Sequence, residues 1–241
     1  MRVAAFQREP LFDDIPVIVE RLKADLEWCD RQDVKLALFP ECYLQGYVLD
    51  REILSLRALA LEESGFRSLL EGLASARATC VLGLVERRGA AVFNAAAVIR
   101  NGTVLGTYRK ARLHRKETAF DPGEDRSLFE VDGWPFGISI CYEANFPEIA
   151  ASVARQGARL ICYPLNNMLV PDVADQWRAK SVDNLRRRAI ETGCWVVSSD
   201  VVGEHEGMLC HGCTCIVSPA GELVSRVDEG SAGVAMFDLC T

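Results

Sequence analysis

Glu41, Lys110 and Cys141 are the residues of this chain whose types could act together chemically, because each lies at or just beyond the end of an apolar run with strand character. The runs are Lys35-Leu-Ala-Leu-Phe-Pro-Glu41, Gly102-Thr-Val-Leu-Gly-Thr-Tyr-Arg-Lys110 and Trp134-Pro-Phe-Gly-Ile-Ser-Ile-Cys141. A rigid sheet that brings a carboxylate, an ammonium and a thiol to one rim supplies what base-assisted attack on a carbonyl-like carbon requires. A carboxylate beside so apolar a run is expected to be partly desolvated, which raises its basicity toward working pH. A strand-to-helix turn after Cys141 would lift the thiol from the sheet and aim backbone N–H groups, Tyr142 foremost, at the same point. The combination points to a thiol hydrolase.

The elements that must hold these residues are legible in the periodicity. Strand-like residues 2–7 and 35–39 flank residues 16–31, where Val19, Leu22, Leu26 and Cys29 keep helical spacing. A second long helix is expected over residues 65–77. Short strands follow at 80–85, 92–99 and 104–108, the last two joined by an Asn101-Gly102 hairpin turn, and a further hairpin joins 128–131 to 135–140. Helices are expected at 146–156 and 172–192 with a strand at 160–163 between them, and the remaining strands fall near 195–199, 214–218, 223–226 and 234–237. So many strands would strain a single open sheet, while the helices need sheet faces to cover. An α/β architecture of two face-to-face sheets with helices outside satisfies both needs.

Four blocks in order, Leu36-Ala-Leu-Phe-Pro-Glu41, Tyr108-Arg-Lys-Ala-Arg-Leu-His114, Phe120-Asp-Pro-Gly123 and Ile140-Cys-Tyr-Glu-Ala-Asn-Phe-Pro-Glu148, resemble the nitrilase family of carbon-nitrogen hydrolases. The resemblance runs from residues 2–7 through Gly212-Cys-Thr and Ser218-Pro-Ala-Gly221 to the final apolar stretch. It implies a four-layer α-β-β-α sandwich with Cys141 as nucleophile, Glu41 as general base and Lys110 stabilising the tetrahedral intermediate. It also implies a second glutamate, Glu117, that accepts a hydrogen bond from the amide nitrogen of a substrate or orients Lys110. The implied activity is cofactor-independent hydrolysis of a small amide, either aliphatic or an ω-amide. The alternatives are an N-carbamoyl compound, then a nitrile, then a non-catalytic binding or interaction module. Arg109, Arg112, Arg115 and Lys116 are read as solvent-facing or ion-paired. Asn145 stands where many relatives carry arginine, and His211 where an apolar or aromatic residue is frequent.

The pocket is expected to admit a short polar substrate, with Tyr47, Phe120, Tyr142, Asn166 and Asn167 as wall candidates and residues 111–125 folded over the site. Ordinary packing is the alternative for the aromatic residues, and capping of the following helix the alternative for the asparagines. Two sandwiches can join helical faces, so a homodimer or higher homo-oligomer is expected.

Composition narrows the rest. A chain of 241 residues without a Gly/Ser/Pro-rich linker reads as one domain, and a net charge of -7 argues against a nucleic-acid partner. The basic run Arg186-Arg-Arg188 reads as a solvated helix face. There is neither a signal-peptide pattern nor an apolar stretch of membrane-spanning length, so a cytoplasmic enzyme is expected. Of the 10 cysteines, Cys80, Cys162 and Cys194 sit inside apolar runs as small hydrophobes would. Cys210-His-Gly-Cys-Thr-Cys215, with His205 upstream, raises a zinc site, but it lacks paired finger spacing. Residues 212–217 look like a strand with Cys213 and Cys215 on one side, so packing is expected there, with no metal and no cofactor. The three histidines suggest no Cys-His triad.

Overall fold

The computed structural model describes residues 1–12, 14–124 and 128–240. In chain order the elements are β1 (Arg2–Gln7), α1 (Ile15–Arg31), β2 (Leu36–Leu38), α2 (Arg51–Arg57), α3 (Ser64–Gly72), β3 (Thr79–Arg88), β4 (Ala91–Arg100) and β5 (Thr103–Arg109). They continue with β6 (Phe129–Val131), β7 (Trp134–Ile138), a 3-10 turn (Cys141–Asn145), α4 (Pro147–Arg155), β8 (Leu160–Pro164), α5 (Pro171–Thr192) and β9 (Trp195–Ser199). The last are β10 (Gly203–His205), β11 (Met208–Cys210), β12 (Cys215–Val217), β13 (Leu223–Arg226) and β14 (Gly233–Asp238).

Two six-stranded sheets result, ordered β14-β1-β2-β3-β4-β5 and β13-β12-β9-β8-β7-β6. The alternation of side chains along each strand builds four layers. Val3, Ala5, Leu36 and Leu38 point into a core shared with Phe136, Ile138, Leu160 and Cys162 of the other sheet. Their neighbours Ala4, Phe6, Ala37 and Phe39 point the opposite way, onto Ile18, Leu22 and Leu26 of α1 and Phe66 of α3. On the second sheet, Ile161, Tyr163 and Val196 face Leu185 and Ala189 of α5. The fold is an α-β-β-α sandwich.

Local signals account for the helix ends. Asp14 accepts the Val17 N–H at 3.2 Å to start α1, and Gly193, with φ 66°, stops α5 in the left-handed conformation that glycine adopts without a Cβ clash. The helix expected over residues 65–77 ends earlier, at Gly72, where glycine weakens the helix by roughly 1 kcal/mol relative to alanine. The chain continues in tight turns that still bury Leu73 and Ala76. Helix α2 and the β10–β11 hairpin were not anticipated; both are short and lack a strong apolar period.

The basic run is a correction. Arg187 is exposed and paired with Asp183, but Arg188 is 5% exposed, donates to the Ala144 carbonyl at 3.2 Å and pairs with Glu191. The third arginine therefore ties α5 to the turn that carries Cys141 instead of facing solvent. No helix among the described residues is long and apolar enough to cross a membrane.

Phe6 is fully buried and stacks on Phe39 with ring centroids 4.7 Å apart. Phe6→Ala is expected to cost about 3–5 kcal/mol, read as a lowered urea midpoint at an unchanged m-value.

Candidate active site

Glu41 follows β2, Lys110 follows β5 and Cys141 follows β7, so the ends of strands from both sheets meet at one rim of the sandwich. Lys110 Nζ donates to Glu41 Oε1 at 2.7 Å and to Glu117 Oε1 at 2.8 Å. Asn94 Nδ2, on β4 between the two, donates to the same oxygens at 2.7 and 3.2 Å. Glu117 Oε2 accepts the His114 N–H at 2.5 Å. Glu41, Lys110 and Glu117 are all at most 2% exposed.

Burial raises the pKa of Glu41; the Lys110 ammonium opposes that effect and the Glu117 charge adds to it. For Lys110, burial acts downward, but Glu41 and Glu117 together hold the ammonium well above its ordinary range. The cluster thus carries a firmly protonated lysine between two carboxylates. Glu41 Oε2 is buried and has no hydrogen-bond partner among the described residues.

Gly83 on β3 is what lets Glu41 lie there. A Cβ at residue 83 would stand 1.9 Å from the Pro40 carbonyl and 2.9 Å from the Glu41 Cα. Gly123, closing Phe120-Asp-Pro-Gly123, lies equally close to the other end: a Cβ there would meet the Arg109 carbonyl at 2.3 Å, and its N–H donates to the Lys110 carbonyl at 2.9 Å. The segment expected over the site, residues 111–125, carries Glu117 into the cluster; its last residue, Asp125, lies outside the described residues.

Cys141 opens the 3-10 turn with φ 45°, a left-handed conformation that costs a non-glycine residue roughly 1–2 kcal/mol. The Glu143 carboxylate holds that turn. It accepts the Ile140 N–H at 2.7 Å, the Ala111 and Arg112 N–H groups at 2.9 and 3.0 Å, and the Tyr108 hydroxyl at 2.9 Å. One buried side chain therefore joins the cysteine turn to the backbone just after Lys110 and to the Tyr108 hydroxyl before it. Cys141 is a half-buried residue, and its Sγ lies 4.0 Å from the Asn166 carbonyl. Burial and the Glu41 charge push its pKa well up, with Lys110 and Asn166 pulling it back, so the resting group is a thiol.

The remaining candidates separate. Tyr47 lies within electrostatic reach of Glu41, Lys110 and Cys141, while Phe120 is buried behind it at a ring distance of 6.3 Å. Tyr142 is half-buried between His114 and Phe146. Asn166 donates weakly to the Glu41 carbonyl at 3.5 Å. Asn167 is turned to Asp200, and neither asparagine caps α5, whose N-cap is Val170. Asn145 bonds the Tyr142 carbonyl and Asn184, closing the turn.

His211 meets Asp175 at 2.8 Å, beside a water-sized cavity of about 20 Å³ that Asn167, Trp177 and Asp200 also line. Arg109 pairs with Glu86, and Arg112, Arg115 and Lys116 are exposed. Cys213 and Cys215 pack in one apolar cluster, and no group of three His, Cys, Asp or Glu suited to a metal occurs among the described residues.

The family profile described as Carbon-nitrogen hydrolase matches residues 2–240. The chain belongs to that family. This carbon-nitrogen hydrolase is 34% identical to a Pseudomonas protegens protein named "Hydrolase in pqqF 5'region", over 93% of this chain and 78% of the relative. It is 28% identical to a Pyrococcus abyssi nitrilase, over 99% and 90% of the two chains. Among solved structures, an amidase from Nesterenkonia sp. superposes with a TM-score of 0.86 at 26% identity, covering 99% of this chain and 90% of the amidase. A mutant of that amidase carries the acetamide moiety of fluoroacetamide added covalently at its active site cysteine.

Asn94, Glu143, Gly83 and Asp200 are the residues sequence reasoning missed. A polar Asn94 inside the run Val92-Phe-Asn-Ala-Ala-Ala-Val-Ile99 was the strongest available signal, since a buried amide needs partners.

Gly83→Ala is expected to displace Glu41 by its backbone and lower turnover about a hundredfold in a protein that still unfolds cooperatively. Steady-state rates beside a denaturant melt check this.

Proposed function

We propose that this hydrolase cleaves the C–N bond of a small amide by a cysteine mechanism. The observation that carries the reading is Glu41: Oε1 is engaged by Lys110 and Asn94, the buried Oε2 has no partner among the described residues, and the Glu41 charge acts on the Cys141 thiol. A carboxylate of raised pKa with one oxygen uncommitted suits a group that takes a thiol proton and returns it.

The steps follow. Cys141 Sγ forms a bond to the amide carbon as its proton passes to Glu41. The oxyanion is met by Lys110 and the Tyr142 N–H, one of the first amides of a 3-10 turn, which have no acceptor within the turn. Glu41 then protonates the departing nitrogen, the C–N bond breaks, and ammonia leaves a thioester on Cys141. Glu41 removes a proton from water as it attacks the thioester, and the acid departs with the thiol restored. Glu117 acts through Lys110, fixing the ammonium between two carboxylates so that it cannot swing to solvent. Tyr47, Tyr142 and Asn166 are the pocket walls of this reading, with Phe120 packed beside Tyr47; Asn167, turned to Asp200, is not among them.

Amides are preferred to nitriles here because an amide NH2 can donate to a carboxylate such as Glu117 whereas a nitrile nitrogen has no hydrogen to donate, and because of the likeness to the Nesterenkonia amidase. Ammonia release from propionamide is expected to exceed that from propionitrile, and Cys141→Ala is expected to abolish it in a folded protein. A clear nitrile preference would overturn the substrate class; retained turnover by Cys141→Ala would overturn the mechanism.

The pH profile offers a separate check. Glu41 must be ionised to accept the thiol proton, and burial raises its pKa, so kcat/KM should fall tenfold per pH unit on the acid side, through a midpoint above the ordinary carboxylate range. A midpoint at or below that of an exposed glutamate would contradict the assignment.

A further inference from the structure

Asp200 follows β9, is fully buried, and is not one of the groups given a chemical step. Its carboxylate accepts the Asn167 N–H at 3.1 Å and the Asn167 side-chain amide at 2.7 Å, one on each oxygen, and the Val201 N–H at 2.9 Å. Its own N–H donates to the Thr214 hydroxyl at 2.9 Å, anchoring it to the residue before β12. Residues 165–167 are the piece of chain it grips. At its near end, the Leu165 carbonyl accepts the Glu41 N–H at 3.0 Å and the Leu165 N–H donates to Ser199 at 2.7 Å. In its middle, the Asn166 carbonyl touches Cys141 Sγ at 4.0 Å and its side chain reaches the Glu41 carbonyl at 3.5 Å.

We propose that Asp200 is a positioning residue for the reaction: by clamping Asn167 through backbone and side chain together, it fixes the three-residue strap that sets Glu41 against Cys141. The strap joins strand ends of both sheets, so a shift there changes the distance between base and nucleophile directly. Neither contact to Asn167 alone defines its orientation; the two bonds to opposite oxygens of one carboxylate do. Burial pushes the Asp200 pKa up to about 6 while the Asn167 and Val201 bonds pull it down, so at neutral pH it is ionised and accepts all three N–H groups.

The inference rests on the Cys141 mechanism above, and the test separates the two. Four variants are compared with the parent: Asp200→Ala, Asp200→Asn, Asn167→Asp, and the exchange Asn167→Asp with Asp200→Asn. Each is checked for cooperative unfolding, then for kcat and KM on propionamide and for the rate of Cys141 alkylation by iodoacetamide. Asp200→Ala loses the clamp, and kcat is expected to fall about tenfold or more with KM moving far less. Asp200→Asn keeps an acceptor for both backbone N–H groups and a partner for an Asn167 amide that turns over, so kcat should stay within about threefold. Asn167→Asp sets two carboxylates together and should be impaired, while the exchange restores a donor-acceptor pair and should recover kcat. Should Asp200→Ala fail to fold, Asn167→Asp and its rescue decide. Parent-like kcat in both Asp200→Ala and Asn167→Asp, or no recovery in the exchange, overturns the proposal. An inactive Cys141→Ala beside those results leaves the mechanism standing and removes only the clamp.

Discussion

The buried ion cluster of Lys110 with Glu41 and Glu117 is the constraint on which the rest of this structure depends. Desolvating each charge costs several kcal/mol, and mutual attraction offsets this only where the geometry is good and the other lone pairs are bonded. Here the offset is distributed over Asn94 and the His114 N–H, leaving Glu41 Oε2 as the exception. Because the ions come from the ends of β2 and β5 and from the segment after β5, they are matched only when two noncontiguous strands of one sheet are in register. Glycines at 83 and 123 follow from the same demand, since each admits backbone where any Cβ would push an ion out of line.

Cys141 is held by a second and opposite device. Cys141 adopts a conformation that costs roughly 1–2 kcal/mol, and a single carboxylate, Glu143, stabilises it through bonds to Ile140, Ala111, Arg112 and Tyr108. Hydrogen bonds to a charged acceptor contribute about 1.5–3 kcal/mol each, so the set outweighs the strain. The same bonds tie the turn after β7 of one sheet to the end of β5 in the other. Arg188 reinforces the turn from the helix side, through the Ala144 carbonyl.

The buried polar cluster lies at the rim of the sandwich. The sandwich's central core of Val3, Leu36, Phe136 and Leu160 is apolar and buried, whereas the loops beyond β2, β5, β7, β8 and β9 converge where the sheets end. The polar groups at that rim are mostly bonded to one another. Tyr47, Glu117 and Asn166 come from loops there, while Glu41, Lys110 and Cys141 stand at strand ends.

Much of this was legible in the sequence. Period-two alternation in Arg2–Gln7 and Leu36–Leu38 and helical spacing in α1 follow from local chain geometry, and two apolar faces per strand require a layer on each side. Glu41, Lys110 and Cys141 stood out by type at strand ends, and the structure brings those ends to one rim. What the sequence could not yield were the partnerships: Glu41 meets Lys110 across 69 residues and Asn166 across 125, and no local period encodes such contacts. Arg188 looked like its exposed neighbour Arg187 because burial depends on which side of α5 meets the turn at Ala144. Asn94, Gly83 and Asp200 remained silent for the same reason. Their roles are set by what stands opposite them in space, and tertiary packing alone decides that.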